Sequence, residues 1–133
     1  MDGNDPIGVA IGSIGAGATA GASVITASLI AFRFLAGDGG ALSQDAQFFI
    51  VTIGLVGGLA TAIMTSFALS TSISVLWRRA AISGTTLFAT AFLAVLSTPI
   101  DMAAGTAGLT AYLVLLLTVG LYAGAKAKAA TTR

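Results

Sequence analysis

The chain contains no histidine, no cysteine and no glutamate. The missing histidine removes any imidazole for haem, for zinc or for proton transfer near neutral pH. The missing cysteine removes a disulfide framework and any thiolate site. Without glutamate, the acids are Asp2, Asp5, Asp38, Asp45 and Asp101, and none falls in the middle of an apolar run. Charged residues make up 8% of the chain, against about 25% in a soluble domain. That is too few polar side chains to cover a water-soluble fold. A net charge of +1 gives no electrostatic basis for binding nucleic acid. No nucleophile stands with a base, no carboxylates are paired and no metal-ligand spacing occurs, so neither an enzyme nor a bound cofactor or metal is expected. The run Gly12-Ser13-Ile14-Gly15-Ala16-Gly17 has the composition of a nucleotide loop. It lacks the preceding strand and the following acid or lysine that such a loop needs.

Long apolar runs take the place of these groups. Hydrophobic residues reach 56% and mean hydropathy is +0.99. A spanning helix needs roughly 20 apolar residues, and four runs approach or exceed that length: 7–34, 48–77, 80–96 and 107–123, followed by a basic tail over 124–133. The expected fold is therefore all-α: a single-domain integral membrane bundle of four transmembrane helices in two hairpins. The acidic start, Met1 to Pro6, lacks the basic region of a secretory signal, so the first run is expected to be retained. Three breaks separate the runs. Gly37 to Asp45 is polar and glycine-rich, Arg78-Arg79 reads as a tight basic turn, and Pro99 within Ser97 to Asp101 is expected to end the third helix.

Charge sets the expected orientation. Arg78, Arg79, Lys126, Lys128 and Arg133 share one side, and Asp38, Asp45 and Asp101 the other. The positive-inside rule then places both termini in the cytoplasm, in the cytoplasmic membrane of a prokaryote. Arg33, near the outer end of the first run, is expected to snorkel toward Asp38 or Asp45 or to contact lipid. Trp77 with Arg78 and Arg79 is read as a topology signal and a lipid or partner contact.

Small residues form the most informative pattern. Gly8, Gly12, Gly15, Thr19, Ala22 and Thr26 recur at spacings of four and three, as do Gly54, Gly58, Thr61, Thr65, Ala68 and Ser72. Gly120 and Gly124 form a further GxxxG pair, like Gly17 and Gly21. Such seams let helix backbones approach closely where lipid removes the hydrophobic drive for association. Ser66, Ser70 and Ser74, at every fourth residue, form a hydroxyl line. It would either bond back to its own helix or line a polar path.

Membership of several small families is excluded by missing residues. Small multidrug transporters need a membrane-embedded glutamate, proteolipid rotor subunits an acid within a later span, and haem-ligating anchor subunits a histidine. Over a few residues, Val75-Leu76-Trp77-Arg78-Arg79-Ala80 resembles the basic turn joining two apolar helices in conjugative pilins. That resemblance implies a structural subunit of a lipid-containing filament or envelope. The functional expectation is a non-catalytic membrane subunit that packs into a larger assembly through its small-residue seams. Its partners would be membrane lipids and other transmembrane chains or copies of itself. A holin-like homo-oligomeric pore is the alternative that the hydroxyl line suggests.

Overall fold

The computed structural model of the chain describes residues 6–36, 44–71 and 73–132. They form three helices: α1 (Pro6–Ala36), α2 (Gln44–Leu69) and α3 (Leu76–Thr132). Each is long and apolar enough to cross a membrane. The chain is thus an all-α membrane protein, but with three helices and not the four expected from the sequence.

The difference lies in α3. Its 57 residues would reach about 85 Å if straight, nearly three times the roughly 30 Å hydrocarbon core. It is not straight. Gly105 has φ 68° and ψ −150°, a conformation open essentially only to glycine. On either side of it the chain folds back on itself. The Tyr112 hydroxyl donates to the Leu93 carbonyl at 2.7 Å across 19 residues of sequence, positions that a straight helix holds about 28 Å apart. Two arms result, 76–104 and 106–132. Gly108 tightens the reversal, because a methyl there would lie 3.2 Å from the Ile100 carbonyl oxygen.

The loop expected over Ser97 to Asp101 is helical. Proline removes one donor, but its φ suits a helix. Membrane helices carry such prolines where neighbouring groups compensate for the lost bond. The chain therefore passes Pro99 and turns only where glycine permits it. Residues 124–132, expected as a tail, continue α3, and Ala127 and Ala130 are buried there.

The second difference lies between α2 and α3. The sequence places the turn at Arg78-Arg79. Instead α2 ends at Leu69 and α3 begins at Leu76, so both arginines lie in the first turn of α3. Ser70 and Thr71 open the break, with a turn bond from the Ile73 amide to the Ser70 carbonyl at 3.0 Å. Serine and threonine offer the backbone competing hydrogen bonds, which weakens a helix end.

α1 is the central post. Half of its most apolar stretch is buried, against 17% in α2 and in α3; both partners therefore pack on α1 more than on each other. Gly58 packs on Gly21 and Ile25 while Ala62 reaches Gly17, so α2 runs antiparallel to α1. Thr86 meets Gly17 and Thr90 meets Gly21, so the first arm of α3 runs parallel to it. Ala127 meets Gly12 and Ala123 meets Gly15, so the second arm returns antiparallel. The start of α1 and the end of α3 therefore lie at one end of the bundle.

Gly105→Ala should destabilise the fold by about 1–3 kcal/mol through backbone strain alone, since nothing lies within 4 Å of a methyl there. Gly84→Ala, whose methyl also meets nothing within 4 Å but sits in regular helix, should be neutral or stabilising by up to about 1 kcal/mol. Equilibrium unfolding of the two variants in mixed micelles checks the contrast.

Candidate functional site

The residues singled out by the small-residue pattern meet along α1 on two faces. On the first, Gly12, Thr19, Ala22 and Thr26 are buried, while Gly8 and Gly15 are half-buried. This face receives the second arm of α3. A methyl on Gly12 would lie 2.7 Å from the Ala127 Cβ and 2.9 Å from the Ala123 carbonyl oxygen. A methyl on Gly120 would lie 2.6 Å from the Thr19 hydroxyl oxygen. Gly124 is looser, its added methyl 3.8 Å from the Ala16 Cβ. Ala22 closes the row against Tyr112 and Leu116, with Leu93 and Ile100 beside them.

The second face receives α2 and the first arm of α3 together. A methyl on Gly21 would lie 2.6 Å from the Gly58 carbonyl oxygen and 2.9 Å from both the Ala62 Cβ and the Thr90 Cγ2. A methyl on Gly17 would lie 2.7 Å from the Thr86 Cγ2 and 2.8 Å from the Ala62 carbonyl oxygen. Three backbones converge here, and there is no room for a side chain on either glycine. Gly54 completes the α2 row against Ser28.

The buried row of α2 is Gly54, Gly58, Ala62 and Ser66, continued by Ser70 just past the helix end, at every fourth residue. The row read from spacings of four and three differs from it after Gly58. Thr61 and Thr65 are half-buried and Ala68 is exposed, while Ser72 lies outside the described residues. Rows of every fourth residue are the ridges of close GxxxG-type crossings. Neighbouring positions 61 and 62, and 65 and 66, are all small, so residue size alone does not choose between the rows. The contact of Gly58 with Gly21 does.

The hydroxyl line divides. Ser66 and Ser70 are fully buried, and Ser74 is exposed. Ser66 donates to the Ile63 carbonyl at 3.1 Å and lies 3.4 Å from the Ser83 hydroxyl oxygen. Ser70 donates to the Phe67 carbonyl at 3.2 Å. In the first arm of α3, Thr86 donates to the Ile82 carbonyl and Thr90 to the Thr86 carbonyl, both at 2.7 Å. Their hydroxyls serve their own helix and their methyls face the α1 glycines. Thr86, Thr90 and Ala62 were missed in the sequence reading. The available signal was the repeat Ile82-Thr86-Thr90, which places one γ-methyl per turn on one face.

The basic pair also divides. The Arg79 guanidinium donates from Nη2 to the Phe67 carbonyl at 3.0 Å and stacks 3.8 Å from the Phe67 ring centroid. It thus caps the C-terminal turn of α2, where helix carbonyls lack amide partners and a cation is favoured. Arg78 and Trp77 are exposed. The side chain of Arg33 lies outside the described residues, as do those of Asp38 and Asp45. Among the described residues, no group of three His, Cys, Asp or Glu side chains stands close enough to hold a metal ion.

Comparison with known protein families, with curated proteins and with solved structures finds no match to this chain.

Thr86→Val keeps the methyl against Gly17 and removes only a hydroxyl bonded within its own helix. It should change stability by less than about 0.5 kcal/mol. Thr86→Ser keeps the hydroxyl and removes the methyl, and should cost about 1 kcal/mol. Denaturant titration followed by Trp77 fluorescence reads the difference, and the reverse order would show that the hydroxyl matters more than the methyl.

Proposed function

We propose that the chain is a non-catalytic subunit of a membrane assembly, oriented with both termini in the cytoplasm. The observation that carries the reading is how the buried hydroxyls other than those of Ser13 and Thr26 are used. Thr19, Ser23, Ser66, Ser70, Thr86, Thr90 and Ser97 each donate to a carbonyl three or four residues earlier in their own helix. Hydroxyls committed in this way build close helix contacts and offer little to a solute or a substrate. The small-residue rows are likewise filled from within the chain, so the seams stabilise this bundle before any partner arrives. What remains for partners is an apolar exterior of large side chains, including Met64, Phe88, Phe92, Val95, Leu115 and Leu121. The small seams thus preassemble the unit, and its bulky faces meet lipid and neighbouring chains.

The charge at the two ends of the bundle supports this orientation. Arg78, Arg79, Lys126 and Lys128 lie at the end that holds the start of α1, and Asp101 lies toward the bend at the other end. Cations favour the cytoplasmic side.

Native mass spectrometry of the protein, gently extracted from its source membrane, tests the reading. A fixed stoichiometry with a different transmembrane chain is the expected result. A chain that is alone, or a closed ring of identical copies that conducts ions in planar bilayers, would overturn it.

A further inference from the structure

α2 and the second arm of α3 both pack on α1, but they diverge from each other at the basic end of the bundle. A groove of 420 Å³ opens between them. Ala16, Ala20 and Gly120 form part of its floor, Leu69 and Leu121 stand at its sides, and Lys128 lies at one end. Its lining on α3 extends from Leu116 to Lys128, a rise of about 18 Å along the helix. We infer that this groove holds one acyl chain of an anionic phospholipid, with the lipid phosphate on the Lys128 ammonium.

Three features select that occupant. The first is length: one leaflet of the hydrocarbon core is about 15 Å deep, and the groove runs along the helices, as an acyl chain does. The second is cross-section. A helix of 10–12 Å diameter over this length would fill about 1,400 Å³, more than the groove holds, so a partner helix does not fit within it. The third is charge. The cation stands at the end where the polar headgroup must lie. Lys126 is turned toward the Tyr122 ring, 5.6 Å from its centroid, which leaves Lys128 as the lysine lining the groove. Asp101, the one carboxylate among the described side chains, belongs to the opposite end. An ammonium at this level attracts anionic lipid more strongly than a zwitterion of the same chain length, whose phosphate is balanced by its own cation.

The groove needs no partner chain, so it is tested on the isolated protein, independently of the subunit reading. The purified full chain is titrated in micelles with phosphatidylglycerol or phosphatidylcholine of identical acyl chains, and lipid adducts are counted by native mass spectrometry. One phosphatidylglycerol per chain is expected, preferred roughly fivefold over phosphatidylcholine. Lys128→Gln should abolish the preference but retain an adduct. Ala125→Phe, at a groove residue exposed to the membrane, should remove the adduct. Circular dichroism and a monodisperse elution profile confirm that both variants fold. Equal binding of the two lipids to the wild type, or unchanged binding in both variants, would overturn the assignment. So would a photocrosslinker at Ala125 that, in native membranes, captures protein and no lipid.

Discussion

Close approach of helix backbones around α1 is the constraint on which the rest of the bundle depends. A Cβ on Gly21 would lie 2.6 Å from the Gly58 carbonyl oxygen, and one on Gly12 would lie 2.8 Å from the Ala127 backbone nitrogen, both too close for a side chain. In lipid, apolar side chains gain little by leaving one apolar surface for another, so helices hold together through dense packing. Glycine on one helix and alanine, serine or a threonine methyl on the other provide that density. The use of α1 as a post for α2 and for both arms of α3 follows from its having small residues on more than one face.

The reversal at Gly105 is the second condition. Without it, Leu116, Gly120, Ala123 and Ala127 would project far beyond the bilayer and the first face of α1 would have no cover. The bend combines one glycine-only conformation, a glycine three residues later and a tyrosine hydroxyl on the facing arm. Together they let 57 residues fold back across a core only about 30 Å thick. The hydroxyl groups fit the same design. Most bond back to their own backbone, and Thr86 and Thr90 present methyl groups to the glycines of α1; Ser13 and Thr26 are buried without such a bond.

Much of this was legible in the sequence, and the parts that were not have identifiable causes. The apolar runs announce membrane helices because few charges interrupt them. The row through Gly12, Thr19, Ala22 and Thr26 was legible because four residues in phase are small. The α2 row was legible only as far as Gly58, because the next choices, Thr61 or Ala62 and Thr65 or Ser66, are equally small and only the facing helix decides. Pro99 was expected to end a helix because proline does so in water. Within a bundle one missing donor is tolerated, and the chain turns six residues later at a glycine. Arg79 was expected in a turn; its hydrogen bond to Phe67 joins positions 12 residues apart that no local pattern links. The groove beside Lys128 was not legible, since it exists only because two elements diverge from a third.

The central claim is that α3 doubles back at Gly105 to cover α1, and the absence of native cysteine allows a direct test. A Cβ built on Gly124 lies 3.8 Å from the Ala16 Cβ, the mean separation in a disulfide. Ala16→Cys combined with Gly124→Cys should therefore oxidise rapidly to an intramolecular disulfide in native membranes. Gly84→Cys combined with Gly124→Cys should not, because Gly84 faces open space. Exclusively intermolecular cross-linking of the first pair, or equal rates for the two pairs, would contradict the account.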